Sequence, residues 1–160
     1  MDEIYSRRSI RQYTAENVSQ GLIEKVLMAG MNAPSARNKK PYEFIVVRDK
    51  MTLERLSLVK QHAYMVKGSD VTIVLVSDEA SSWWQVDLGA VVQNMLLEAE
   101  HNGIGSCWIG INETDEAAVK QILDVPEGLR VATMVSFGYP AEGKDKNDNY
   151  YIEKIHHEKY

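Results

Sequence analysis

Apolar positions along this chain change their spacing several times, and each change marks an element. Between residues 19 and 32 they recur at helical spacing: Leu22, Ile23, Val26, Leu27 and Ala29 share one stripe, and Ser19 stands where an N-cap hydroxyl is expected. The pattern predicts a helix from Gln20 to about Asn32. Ala33-Pro34-Ser35-Ala36-Arg37-Asn38 follows as a loop, because Pro and Asn break the helix. Tyr42 to Val47 reads as a strand, and Thr52 to His62 returns to helical spacing. Val71 to Ser77 is a continuous run rich in β-branched residues, the pattern of a central strand. From Asp87 to Asn102 the spacing is helical again, but Leu88, Ala90, Val91, Val92, Met95, Leu96, Leu97 and Ala99 leave almost no polar face. A helix apolar on most sides is buried on most sides. In so short a chain that favours a subunit interface over the centre of a monomer core. Thr114 is expected to cap a further helix ending near Asp124, ahead of Pro126. Leu129 to Phe137 is the last strand, and Gly138-Tyr139-Pro140 turns out of it.

The resulting order is helix, strand, helix, strand, helix, helix, strand, compatible with either α/β or α+β. No internal repeat, low-complexity tract or Pro/Ser-rich linker interrupts it. A length of 160 residues suits one domain, 1–160. The tail from Ala141 to Tyr160 has little core-forming density beyond Ile152 and Ile155. Such a tail is either frayed or docked on another surface, such as a second subunit.

Composition narrows the function classes. Apolar residues make up 44% and charged residues 26%, ordinary for a soluble globular protein. One cysteine, Cys107, can form no internal disulfide, which fits a reducing, cytoplasmic setting. No N-terminal targeting signal is visible, and the longest apolar runs are too short to span a bilayer, so no membrane association is expected. A net charge of -5 argues against nucleic acid as a partner.

Against that acidic background, Arg7-Arg8-Ser9-Ile10-Arg11 concentrates three guanidiniums and a hydroxyl. Arg forks fit phosphate oxygens two at a time, so the segment is a candidate anion site; taken alone, it reads equally as a solvated N-terminal charge run. Arg37, Lys39 and Lys40 beside Ser35 and Asn38 form a second cluster, suited to the polar edge of a heteroaromatic ring. Gly103-Ile104-Gly105-Ser106-Cys107-Trp108-Ile109-Gly110 fails as a dinucleotide fingerprint: Trp108 takes the third glycine's place, and the segment follows a helix. It remains either a tight helix-to-strand turn or a backbone that a flat ligand approaches closely. Cys107 lies in an apolar context and is not expected to be a nucleophile. The histidines at 62, 101, 156 and 157 lack ligand spacing, so no metal site is expected. Trp83-Trp84 is read as interface, with a ligand-covering role as the alternative.

Taken together and in order, these segments resemble the nitroreductase family of flavin-dependent oxidoreductases. Arg7, Arg8, Ser9, Arg11 and Tyr13 match its opening R-R-S-x-R-x-[FY]. Ala33, Pro34, Ser35, Ala36, Asn38 and Pro41 match A-P-S-[AG]-x-N-x-Q-P-W. Asp87, Gly89, Gln93, Asn94, Met95, Leu97 and Ala99 match its middle helix, which continues into the motif at Gly103 to Gly110. Gly138-Tyr139-Pro140 completes the series.

The resemblance implies an α+β fold with a mostly antiparallel central sheet flanked by helices. It also implies a homodimer with a C-terminal tail wrapping the partner and two FMN sites at the interface. Arg7, Arg8, Ser9 and Arg11 would hold the phosphate and the ring's pyrimidine edge. Pro34, Ser35, Ala36 and Asn38 would reach the isoalloxazine of the other subunit's site. Trp108, Ile109 and Gly110 would line the ring. Two departures stand out: Lys40-Pro41-Tyr42 replaces Q-P-W, and the basic pair expected after Gly-Tyr-Pro is diluted, leaving Lys144 or Lys146 to reach the phosphate. NADH or NADPH would donate hydride through FMN to a small flat acceptor (a nitroaromatic, quinone or enone) in ping-pong fashion. Arg11 would supply positive charge near the ring, and no catalytic side chain is required. The alternative is a flavin-binding storage protein without catalysis.

Overall fold

The computed structural model describes residues 2–78, 80 and 82–160. In chain order its elements are α1 (Glu3–Ser6), α2 (Gln20–Met31), β1 (Tyr42–Val47), α3 (Lys50–Ser57), β2 (Val71–Asp78), α4 (Trp84–His101), β3 (Gly105–Gly110), α5 (Glu113–Leu123) and β4 (Leu129–Gly138). Short 3₁₀ stretches occur at Ala36–Asn38, Gln61–Gly68 and Ile152–Lys154. The four strands form one antiparallel sheet in the order β1-β2-β4-β3. This is the α+β arrangement that the family resemblance implies.

Side-chain alternation divides the core into two layers. Ile73 and Leu75 of β2, with Val135 and Phe137 of β4, face α2 and α4. Val74 and Val76, with Met134 and Val131, face α3, the Gln61–Gly68 stretch and α5. Both faces of β2 are therefore covered, which is why its sequence reads as an unbroken apolar run. Among the described residues, no helix is long and apolar enough to cross a membrane.

Several boundaries differ from the sequence expectation. The helix expected over Thr52–His62 ends at Ser57, and a 3₁₀ stretch begins at Gln61. Asn112, not Thr114, caps α5: its side chain accepts from the Asp115 amide at 2.9 Å. Helix α4 begins at Trp84, one turn before Asp87. The glycine-flanked segment that gave no strand signal is β3, an edge strand paired with β4. Its turn survives just upstream, where Gly103 adopts φ +71°. Helix α4 buries Leu88, Val91, Val92, Met95, Leu96 and Ala99 within its own chain and leaves Val86 exposed.

One connection matters most for the site. The segment after α1 lies across the ends of β3 and β4. The Ile10 amide donates to Ser106 O at 2.9 Å, and the Thr14 amide donates to Tyr139 O at 2.8 Å. Glycine permits this approach at two points. A Cβ on Gly105 would meet Ile10 at 2.9 Å, and one on Gly138 would meet Tyr13 at 2.9 Å. Ile10 is buried, and the Tyr13 hydroxyl donates to Ile10 O at 2.7 Å.

Candidate functional site

Packing against β3 fixes where the cationic run points. Arg7 closes α1, and Ser9 pairs with Ser106 in a parallel bridge. Two hollows open beside this segment. One, of about 310 Å³, is lined by Arg11, Lys60, His62, Tyr64, Trp108 and Gly110, among others. The other, of about 210 Å³, lies beside Arg8, Gly105, Glu142 and Lys144. Trp108 and Gly110 also border a wider groove of about 640 Å³ that reaches Trp84, Glu116 and Arg130.

Arg8 faces the chain itself. Its guanidinium donates to the carbonyls of Tyr5 (2.8 Å), Arg7 and Asp145 (2.7 Å), clamping the start of the tail onto the N-terminal segment. Arg11 is exposed, and its amide donates to Glu142 Oε1 at 2.6 Å. Lys144 Nζ donates to Ser9 O and stands 3.5 Å from Glu142. The Arg11 amide and the Lys144 charge hold the Glu142 carboxyl below its usual range. So the stretch after Pro140 does reach the arginine segment, through Lys144 and Glu142 together.

Edge strand β3 supplies the floor. Trp108 is half exposed, Ile109 is buried, and a Cβ on Gly110 would meet nothing within 4 Å. The backbone at Gly110 is open, whereas that at Gly105 is covered by Ile10. Cys107 points into the core, where burial pushes its thiol up against the pull of Arg11 and Lys144. A neutral thiol here agrees with the expectation of an inert cysteine.

Residues Pro34, Ser35, Ala36 and Asn38 line neither of the two hollows. They form a separate loop over the N-terminal end of α4. The Ala36 amide donates to Asp87 Oδ1 at 2.9 Å, and the Lys40 amide donates to Ser35 Oγ at 2.9 Å. The structure therefore brings Arg11, Trp108, Ile109 and Gly110 to one hollow and Arg8 and Lys144 to the other, with Lys144 bonded to Ser9 O; Arg7 caps α1 and lines neither, and residues 34–38 stand apart.

Sequence reasoning missed Lys60, His62 and Tyr64. They reach the Arg11 hollow from the Gln61–Gly68 stretch and the residue before it, a region taken as the end of a helix. Lys60 Nζ donates to Gly110 O at 2.8 Å and pairs with Asp115 at 3.1 Å, tying this stretch to the end of β3 and the start of α5. The polar run Lys60-Gln61-His62 directly after an apolar helix was the available signal. Trp84 packs against the core and under the Arg130 guanidinium, 5.9 Å from the ring centroid.

A family model described as the nitroreductase family matches residues 4–61 and 57–139. A protein of Archaeoglobus fulgidus with the provisional name NADH dehydrogenase/NAD(P)H nitroreductase is 39% identical, over 98% of this chain and 96% of its own. A Clostridium acetobutylicum crystal structure, provisionally an NADH oxidase, superposes with a TM-score of 0.95 at 36% identity, covering 99% of this chain and 100% of that one. An FMN-dependent nitroreductase from Clostridium difficile gives a TM-score of 0.91 at 30% identity, covering 96% of each chain.

Proposed function

The chain belongs to the nitroreductase family, and from that premise we propose that it is an FMN-dependent NAD(P)H oxidoreductase. It acts as a homodimer on small flat acceptors such as nitroaromatics, quinones or enones. The observation that carries this reading is the hollow where Arg11, Trp108 and the open backbone of Gly110 meet.

The donor set suits FMN. A flat ring needs an apolar wall, an open backbone edge and positive charge at its polar rim; Trp108, Gly110 and Arg11 offer these in turn. A phosphate needs cations nearby, and Arg8 and Lys144 line the smaller hollow, with Lys144 bonded to Ser9 O. Arg8, engaged by three carbonyls, keeps that segment in place, while Arg11 and Lys144 remain the cations that meet the ligand. When bound, FMN supplies the hydride chemistry. The protein orients it, excludes water through Trp108, and holds positive charge near the ring with Arg11, which favours added negative charge there. Residues 34–38 complete the site from a second copy, in keeping with their separation from the hollows of their own protomer. An apolar stripe supports the second copy: Ile4, Met28, Met31 and Val86 are all exposed on the α1, α2 and α4 side.

The test is an absorbance spectrum of the purified protein after FMN addition and gel filtration, followed by anaerobic NAD(P)H. Retained yellow colour that bleaches on adding the nicotinamide is expected. Retained colour without bleaching would make the protein a flavin store. Loss of all flavin on the column would sink the reading.

A further inference from the structure

Asp87 has a job that its place on a core helix does not require. It is 5% exposed, yet it sits in the first turn of α4, where the helix dipole favours a carboxylate. One oxygen accepts from the Ala36 amide at 2.9 Å. The other is buried and has no hydrogen-bond donor among the described residues, and the buried Tyr42 hydroxyl is in the same position. Burial, and then the Asp87 charge, push that hydroxyl upward, so Tyr42 stays a protonated donor facing the carboxylate's field.

The loop that Asp87 holds is strained. Arg37, Asn38 and Lys40 all adopt left-handed backbone, with φ of 55°, 54° and 47°. Three such non-glycine residues within four positions do not persist unless their surroundings over-determine them. Within the loop, the Asn38 amide donates to Ser35 O at 2.9 Å and the Lys39 amide to Ala36 O at 3.2 Å. Lys40 is fixed by Ser35 Oγ through its amide and by Met31 O through Nζ, at 2.9 and 2.8 Å. Pro41 O is fixed by the Ser77 hydroxyl and the Asp78 amide. Between these anchors, the Asp87–Ala36 bond ties the loop to α4.

We infer that Asp87 is the positioning residue of the 35–40 loop: its buried carboxylate keeps the strained segment in the shape that presents Ser35, Ala36 and Asn38 to a second copy's FMN. What the loop faces rests on the function proposed above; the restraint itself rests on the geometry. Asp87 touches no reacting group and acts only through the loop. Tyr42 adds a second buried polar group, unpartnered among the described residues, beside that carboxylate, at the end of the Lys40-Pro41-Tyr42 segment.

Trypsin reads the loop directly, because Arg37 and Lys39 are exposed within it. The experiment uses the purified full-length protein, with and without added FMN, and maps cleavage by mass spectrometry. Asp87→Ala should raise cleavage after Arg37 and Lys39 at least tenfold without FMN, with other sites unchanged, and should weaken FMN binding at least tenfold. Asp87→Asn keeps an oxygen for the Ala36 amide and should restore both to within about twofold of wild type. Should Asp87→Ala not fold, Ala36→Pro removes the same bond from the loop side and must raise cleavage after Lys39 at least tenfold without FMN. Cleavage rising in step at every Lys and Arg, or no rescue by Asn, or unchanged loop cleavage and FMN affinity in a folded Asp87→Ala, would each overturn the inference. A wild type that binds no FMN defeats the functional reading instead, and the proteolysis still decides what Asp87 does.

Discussion

Arg8 and Arg11 stand three residues apart in one cationic run, yet their surroundings give them different work. Arg11 is exposed over the Trp108–Gly110 hollow, so Arg11→Ala should weaken FMN binding with little change in melting temperature. A hydrogen bond to a charged group is worth roughly 1.5–3 kcal/mol, or about 10–100-fold in Kd. Arg8→Ala should do the reverse in emphasis: it frees three carbonyls and releases the tail at Asp145, so a lower melting temperature should accompany any loss of flavin. Equal flavin loss at unchanged stability in both variants would contradict this division, and titration of FMN fluorescence beside a thermal melt separates the two. The sequence pointed to this segment as an anion site because three guanidiniums in an acidic chain need a reason. It could not separate the two arginines, since only the bend after α1 brings carbonyls around Arg8. Gly138 follows the same logic. Its missing side chain makes room for Tyr13, and Gly138→Ala should cost about 1–3 kcal/mol by overpacking, read as a lower denaturant midpoint.

Between elements, a buried polar tie joins α5 to β4. Glu116, buried on α5, accepts from Arg130 Nε at 3.0 Å and from the Val131 amide at 2.8 Å, with Lys120 at 3.3 Å. Burial alone would raise its carboxyl, but Arg130, the Val131 amide and Lys120 outweigh it and hold the pKa below the ordinary 4.5. A carboxylate with a lowered folded pKa stabilises the fold above its unfolded pKa and loses that contribution as pH falls through the folded value. Wild-type stability should therefore drop below about pH 4.5. Glu116→Gln should be less stable by roughly 1.5–3 kcal/mol at neutral pH and flatter across the acid range. Urea melts at pH 3.5 and 7 check this; equal differences between the two proteins at both pH values would contradict it. Most helices and three of the four strands were legible because their apolar periods are long and clean. Strand β3 was not. Its glycines suppress the strand signal, and its register comes from β4 and from Ile10, distant in sequence. The end of α3 was blurred because Leu58 and Val59 continue the helical spacing, while their amides turn to carbonyls three residues back, Arg55 O at 3.2 Å and Leu56 O at 3.3 Å.

At the scale of the whole molecule, the tail separates a fold that is finished from one that is not. From residue 141 onward none of its side chains is buried; Tyr150, Ile152 and Ile155 are 75%, 71% and 41% exposed. Among the described residues, its hydrogen bonds to the rest of its own chain lie at its beginning: the clamp from Arg8, the Glu142 and Lys144 bonds to Arg11 and Ser9, and the Asn147 amide donating to Tyr5 O at 2.9 Å. Apolar residues held out in this way, beside an exposed stripe on α1, α2 and α4, fit a tail that docks on a second copy. Each large apolar side chain buried there adds about 1.5–3 kcal/mol, and 1.4 kcal/mol is a tenfold change in affinity. Removing residues 149–160 should therefore weaken the proposed dimer by at least about a hundredfold. The fold of each protomer should persist, since no core residue is lost. Sedimentation velocity across a concentration series reads the first effect, and far-UV circular dichroism the second. The flavin should follow the dimer: in the proposed site residues 35–38 of one copy would complete the site of the other, so the truncated protein should lose FMN at concentrations where it dissociates and regain it where it associates. A truncated chain that stays dimeric and yellow at nanomolar concentration would mean that the tail docks on nothing the dimer needs, and that the stripe around α4 suffices to hold the two copies together.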